Sequence, residues 1–263
     1  MTKSRTDLVA TGQGAYQPAV LERFEQRLQW VWKRDGFAPA DRDRLARLLR
    51  IVIADLGFRP ASDLLHLAGV RTWWNAVFAR QRSAFIADWV LAHLKPPVLD
   101  VLGGDFTVLR ALLTRGLNPE QVVGCERSYA YDLQWSEFDF PVHPVPEDLT
   151  LPDVAAYTLL ISTVLHHEPE PERLLQAAAV LAAPRWVVIE NCVDGDNDAQ
   201  FHLFVDEFFN RCLNNFEVPC VAQHRTASQW QELLGRYGSV THIETRQEVP
   251  GMPFPYTVFV VDR

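Results

Sequence analysis

Apolar residues in the first third of the chain recur every three or four positions. Leu21, Phe24, Leu28, Val31 and Trp32 form one such series, and Leu45, Leu48, Leu49, Val52 and Ile53 form the next. This period predicts amphipathic helices. The first ends near Gly36; the second starts at Asp41 or Asp43 and stops at Gly57. Arg42, Arg44, Arg47 and Arg50 fall mostly off the second stripe and read as a solvated face. Pro60, Ala61 and Ser62 restart a short helix through Leu65, and a long helix is predicted from Thr72 to Leu94, where Pro96 and Pro97 stop it. Residues 1–15 have little periodicity and read as a mobile segment or a flap.

From residue 98 the pattern changes. Short apolar runs at 98–102, 121–125, 141–145, 157–162 and 186–191 alternate with helical stretches near 106–116, 128–133 and 169–182. Strands separated by helices predict a parallel sheet built from βαβ crossovers. Residues 193–225 interrupt the alternation: a loop at 194–198 precedes an aromatic-rich helix carrying Phe201, Phe204, Val205, Phe208 and Leu213. A helix at 227–236 and strands at 239–246 and 256–261 follow. No helix separates the last two strands, so they are expected to pair as an antiparallel hairpin. The division this implies is a helical extension or lid over residues 1–95 and an α/β domain over 96–263, with a helical insert near 195–225.

Charge narrows the function. The net charge is −8, which argues against a general nucleic-acid binder because phosphate neutralisation needs a basic surface. Residues 1–95 hold 15 Lys and Arg against 9 Asp and Glu, leaving 10 against 24 in residues 96–263. No run approaches a membrane span, and Met1 to Asp7 lacks the apolar core of a signal peptide, so a soluble cytoplasmic protein is expected. Cys125, Cys192, Cys212 and Cys220 are far apart with no Cys-x-x-Cys pair, and read as buried thiols.

The chemistry is expected where the first strand, residues 98–102, runs into Gly103, Gly104 and Asp105. Two glycines between a strand and a helix allow a sharp turn and a close ligand approach. Asp100 lies in that strand. Glu126 closes the second strand, where a carboxylate can accept hydrogen bonds from two ribose hydroxyls. Gly-x-Gly-x-x-Gly is absent, which weighs against a nicotinamide cofactor.

These features, with Pro146-Glu147-Asp148-Leu149, Leu159 to His167 and Trp186 to Glu190, resemble the class I S-adenosylmethionine-dependent methyltransferases, especially the small-molecule group, over roughly residues 84–263. The resemblance implies a Rossmann-like sheet of seven strands, mostly parallel, with the last strand antiparallel. It implies S-adenosylmethionine as cofactor, held by Arg82, Asp100, Gly103, Gly104, Asp105, Glu126, Arg127, Glu147, Asp148, Ser162 and Thr163. Arg80 is the other basic candidate for the cofactor's carboxylate.

Methyl transfer to a small organic acceptor, a metabolite or natural-product intermediate, follows from the resemblance, with His166 or His167 as the base where the acceptor carries a proton. Tyr16, His202, Asp206, His224 and Arg225 are candidate acceptor contacts; Asn210 and Arg211 continue the polar spacing of His202 and Asp206. Trp73 and Trp74 read as core, and Glu190 and Asn191 end the fifth strand at the edge where ligands gather. No metal is expected, since His166, His167 and Glu168 in succession cannot all face one ion. The partner is a small molecule rather than nucleic acid or membrane; the oligomeric state is open, a homodimer included. Leu102 stands where the family places a turn glycine, and Phe106 where it places another, which would set a bulky ring beside the methionine portion. Those two departures keep open a noncatalytic or repurposed cofactor-binding protein as the alternative.

Overall fold

The computed structural model describes residues 16–37, 40–127, 138–194, 198–214, 220–221 and 223–263. The flap expected over residues 1–15, the helix expected at 128–133 and most of the loop at 194–198 lie outside the described residues.

The N-terminal block is helical, as its periodicity requires. α1 (Pro18–Arg34) buries Val20, Leu21, Phe24, Leu28, Val31 and Trp32, and its last turn carries Lys33 and Arg34, which suit the negative end of the helix dipole. α2 (Arg42–Leu56) stops at Gly57, whose φ of 85° few other residues tolerate. α3 (Phe58–Leu67) follows directly. The predicted long helix is one continuous run with a change of pitch: α4 (Val70–Ala76) widens into a π turn at Val77–Arg82 and resumes as α5 (Ser83–Val90).

The strands are β1 (Val98–Val101), β2 (Val122–Arg127), β3 (Val142–Val145), β4 (Thr158–Ser162), β5 (Arg185–Val193), β6 (Arg225–Thr226), β7 (Ser239–Arg246) and β8 (Tyr256–Asp262). They lie in the order β3-β2-β1-β4-β5-β8-β7. β1 to β5 pair in parallel, whereas β8 is antiparallel to both β5 and β7. The seven expected strands are all present. β6 is an addition, a two-residue strand beside the end of β5, too short to leave a periodic signal. β4 and β5 are buried along nearly their whole length, as strands covered on both faces must be, while the edge strand β7 alternates and carries Glu244 and Arg246.

One face of the sheet shares a core with the N-terminal helices, α6 (Thr107–Leu113) and α8 (Ala199–Phe208); the other packs on α7 (Pro171–Val180) and α9 (Ala227–Leu234). α8 is the expected insert. It is locked to the N-terminal block by rings: Phe24 to Phe204 at 4.9 Å, Phe24 to Phe208 at 4.7 Å, and Trp74 to Phe209 at 5.3 Å between centroids. Each such pair contributes about 0.5–1.5 kcal/mol beyond its buried area. α8 also ends in a π turn, Phe209–Asn214, which faces the π turn of residues 77–82 with Phe78 and Phe209 at 5.4 Å. Strand order reverses between β1 and β4, so the carboxyl ends of these two strands open a crevice beneath the two π turns.

Candidate functional site

That crevice is a cavity of about 450 Å³. Its floor is the turn after β1. Leu102 adopts φ 53° and Phe106 φ 55°, left-handed values that a side chain adopts only under constraint. The Leu102 side chain remains buried. Gly103 is needed for space: a Cβ there would stand 2.7 Å from both Asp100 Cγ and Phe106 Cδ1. Gly104 takes φ 65° and donates its N–H to Glu126 Oε2 at 2.7 Å. The other Glu126 oxygen accepts from Arg127 N–H at 2.7 Å. Each carboxylate oxygen thus has one backbone donor and spare lone pairs toward the cavity.

Phe106 does not crowd this space, contrary to the expectation from sequence. Its ring is fully buried beneath the turn, against Phe138 at 5.2 Å and Phe140 at 5.8 Å. The left-handed backbone and the absence of a side chain at Gly124 direct it there.

Acids cluster under the cavity. Asp100 is 1% exposed and has an oxygen without a hydrogen-bond partner; burial first, then Glu126 and Asp105, push its carboxyl up to about 8. Burial also raises Glu126, against its two backbone donors and Arg127, with Glu168 adding to the rise. Arg127 is paired with Glu168 at 2.6 Å, which ties the end of β2 to the segment after β4.

The opposite wall comes from β4 and the helices. Ser162 Oγ is buried without a partner, and Thr163 sits at φ 56°, unusual for a β-branched residue. Arg82 donates from Nη2 to Thr163 Oγ1 at 3.2 Å and to Tyr256 Oη at 3.1 Å.

A second, smaller cavity of about 130 Å³ adjoins the first, and Phe78, Arg82, Thr163, His167 and Asn210 line both. Its own wall includes His166, Asn191, Asp206, Met252, Phe254 and Tyr256. His166 Nδ1 is 2.6 Å from Glu190 Oε2, and Glu190 Oε1 accepts the N–H groups of Val164 at 3.0 Å and Leu165 at 2.7 Å. Burial disfavours charge on both members of this pair: it pushes Glu190 up to about 8 and holds His166 well below the usual imidazole range.

Of the residues selected from sequence, Arg82, Gly103, Gly104, Asp105, Glu126, Arg127, Ser162, Thr163 and His167 line the larger cavity, and His166 and Asp206 the smaller. Asp100 lies behind the lining. Glu147 and Asp148 are exposed after β3 and line neither cavity; Asp148 accepts from Thr150 N–H in a turn. Arg80 is exposed on the far side of its turn.

Tyr16 packs on Phe204 at 4.7 Å and Phe58 at 6.0 Å, away from both cavities, because α1 turns it toward the aromatic core. His202 is fully buried, stacked on Phe254 at 4.3 Å, with both ring nitrogens unpartnered. His224 contacts Asn191 Oδ1 at 3.3 Å behind the wall, and Arg225 pairs with Glu172 at 3.3 Å on the other side of the sheet edge. Arg211 points outward to Glu207, whereas Asn210 faces the cavities.

Arg71, Asn75, Phe78 and Ala79 also line the larger cavity. Sequence reasoning passed over them, although positions 71, 75, 78 and 82 follow the spacing of a single helical face.

Strand order, the antiparallel final strand and the crevice at the switch point are those of the class I S-adenosylmethionine-dependent methyltransferase fold. No family model and no curated protein matches the sequence. Solved structures do match the fold. The pyocyanin biosynthetic protein PhzM is 18% identical, with 92% of this chain and 73% of that chain covered and a TM-score of 0.52. TnmH is 17% identical over 92% of this chain and 84% of its own, TM-score 0.51. An O-methyltransferase candidate from Nostoc punctiforme PCC 73102 is 13% identical over 94% and 70%, TM-score 0.51. Among the described residues no helix is long and apolar enough to cross a membrane.

Proposed function

We propose that the protein transfers a methyl group from S-adenosylmethionine to a small organic acceptor in the cytoplasm. The observation that carries this reading is the adjacency of the two cavities, which share Phe78, Arg82, Thr163, His167 and Asn210 as lining. A cofactor-sized space of about 450 Å³ adjoins a smaller chamber furnished with histidines, and small-molecule sites span about 300–1,000 Å³.

The residues fit the cofactor. Gly103 and Gly104 let it approach the backbone, Glu126 has lone pairs free for ribose hydroxyls, and Ser162 lines the same space. Asp100, Asp105 and Glu126 favour a positively charged donor, and Arg82 has N–H groups left for a carboxylate. When bound, the cofactor supplies a methyl carbon on a sulfonium: the acceptor's lone pair forms the new bond as the carbon–sulfur bond breaks and its electrons stay on sulfur.

The chain's part is alignment, exclusion of water and removal of a proton. Phe209, Met252, Phe254 and Tyr256 supply apolar walls that hold a small acceptor, or the reactive end of a larger one, in line. His166 is the base. With Glu190 ionised, Nδ1–H donates to it at 2.6 Å and Nε2 is left to receive a hydroxyl or amine proton. The helices of residues 1–95 and the insert near 195–225 act as the lid over the 96–263 domain, with residues 71–82 and 209–213 meeting above the cofactor.

Calorimetry tests the cofactor directly, with S-adenosylmethionine, its demethylated product and NAD as titrants. Binding of the first two without NAD is expected, followed by a one-methyl mass gain on an acceptor in a panel of phenols and amines. A protein that binds neither S-adenosyl compound is not a methyltransferase.

A further inference from the structure

The polar end of the smaller cavity carries more ligand-competent atoms than hydrogen bonds to engage them. His166 and His167 lie in the turn after β4, and Asp206 projects from α8. One side-chain ligand atom from each lies within 4.8 Å of the other two. His166 Nε2 is 3.9 Å from Asp206 Oδ1, and His167 Nδ1 is 3.4 Å from Asp206 Oδ2. Asp206 is 7% exposed, yet its Oδ2 has no hydrogen-bond partner, and neither has His167 Nδ1. Buried polar atoms without partners call for a water or an ion to complete them.

We propose that His166 Nε2, His167 Nδ1 and the Asp206 carboxylate bind one divalent transition-metal ion at the inner end of the acceptor chamber. The atom spacing suits it. Neighbouring ligands around a tetrahedral ion at about 2.0–2.1 Å stand about 3.3 Å apart; the separations here are 3.4 Å and 3.9 Å, one to each Asp206 oxygen, and none among the three ligand atoms exceeds 4.8 Å, a spread that small side-chain movements close. Two imidazoles with one carboxylate select a first-row transition ion over magnesium or calcium, and they leave coordination positions for an acceptor.

The surrounding contacts are those such a ligand set needs. His166 Nδ1 lies 2.6 Å from Glu190; an ion drawing on the Nε2 lone pair selects the tautomer in which Nδ1–H donates to the Glu190 carboxylate. Glu190 is itself anchored by two backbone N–H groups. Asn210 Nδ2 donates to Asp206 Oδ1 at 3.3 Å and to the Asp206 carbonyl at 2.9 Å, orienting the carboxylate. Arg82 is the cation on the described lining that opposes an ion, and it is held across the chamber by Thr163 and Tyr256. The Asp206 carboxylate offsets it.

Glu168, next in sequence after the two histidines, turns away to Arg127. The third ligand comes from the inserted helix instead, a pairing no local spacing reveals.

The ion site stands on its own geometry; its catalytic use rests on the methyl-transfer reading. A coordinated acceptor hydroxyl gives its proton to water at a lower pKa. Its oxygen then forms the bond to the methyl carbon, and sulfur keeps the electrons of the broken bond. His166 is then a ligand, and it serves as the base only when no ion is present.

The test uses the full chain, stripped with chelator and titrated with Zn²⁺ by calorimetry and with Co²⁺ by visible absorption. One ion per chain is expected, with Co²⁺ bands of the intensity of a four- or five-coordinate site. His167→Ala and Asp206→Asn should each weaken Zn²⁺ at least tenfold, and Glu190→Gln by about 10–100-fold. Absence of stoichiometric binding, a weak six-coordinate Co²⁺ spectrum in the parent, or equal affinity in the ligand variants each overturns the site. Binding of the demethylated cofactor is measured on the same samples. If it persists without Zn²⁺ binding, only the ion fails; if Zn²⁺ binds and the cofactor does not, the methyl-transfer reading fails alone.

Discussion

The Phe106 ring lies so close to Gly124 that a Cβ on residue 124 would stand 2.6 Å from its Cε1. A glycine in β2 thereby makes room for the ring that stands where a smaller residue would be expected. Gly124→Ala should overpack this spot and cost about 1–3 kcal/mol. In a Phe106→Ala background the same change should cost far less, since the two residues are in contact and couple. Urea unfolding of the four proteins measures the cycle; an equal cost in both backgrounds would place the strain in the strand rather than against the ring.

Asp100 gives the fold a pH dependence of definite sign. Its carboxyl is raised to about 8 by burial and by Glu126 and Asp105, so between about pH 4 and pH 8 the unfolded chain has lost a proton the folded chain keeps. Stability from this group therefore falls as pH rises through that window, by about 1 kcal/mol per pH unit at the steepest. Asp100→Asn, which stays neutral, should flatten the profile and gain on the parent as pH rises. Thermal melts from pH 5 to 8.5 decide it; parallel profiles for the two proteins would show that Asp100 ionises freely.

How far the site could be read from sequence depended on whether one element was enough to define it. The glycine turn after β1 and the acid ending β2 are properties of single segments, and both line the cavity. The direction of Phe106 is set by Gly124 on another strand, which periodicity does not connect to it. His202, Asp206, Asn210 and Arg211 share a helical spacing, yet the structure sends His202 into the core, Asp206 and Asn210 into the chamber and Arg211 to the surface. A polar face looks the same in sequence whether it meets water or a cavity. The π turns at 77–82 and 209–214 have no residue signature, and they rotate Arg82 inward while Arg80 faces out.

Arg82 occupies the junction of the two cavities, so it should read the amino-acid end of the cofactor. Charge-assisted hydrogen bonds contribute about 1.5–3 kcal/mol, so Arg82→Gln should weaken S-adenosylmethionine by roughly 10–100-fold. 5′-Methylthioadenosine, which has the nucleoside but no carboxylate, should bind the parent and the variant equally. Calorimetry with both ligands separates a carboxylate contact from a general collapse of the wall. Equal losses for the two would make Arg82 a strut between Thr163 and Tyr256.

The acids under the cavity should tell a sulfonium from a sulfide, and pH should control by how much. In the free protein burial, with Glu126 and Asp105 beside it, keeps the Asp100 carboxyl protonated up to about pH 8. A bound cation favours the ionised carboxylates, so its binding releases protons, and affinity rises with pH until the Asp100 carboxyl is ionised, near 8. The demethylated product is uncharged at sulfur and lacks that drive. The sulfonium lowers the α-amino pKa of S-adenosylmethionine relative to its product, so each ligand's own titration is measured free in solution and subtracted from the ratio of affinities. The preference for S-adenosylmethionine over its product should therefore grow from pH 6 to 8, by at most tenfold per unit for one released proton, and level off above. Asp100→Asn removes the carboxyl that titrates in this range and should abolish the growth. A ratio that stays constant with pH in the parent would mean that the sulfonium lies beyond the reach of these acids.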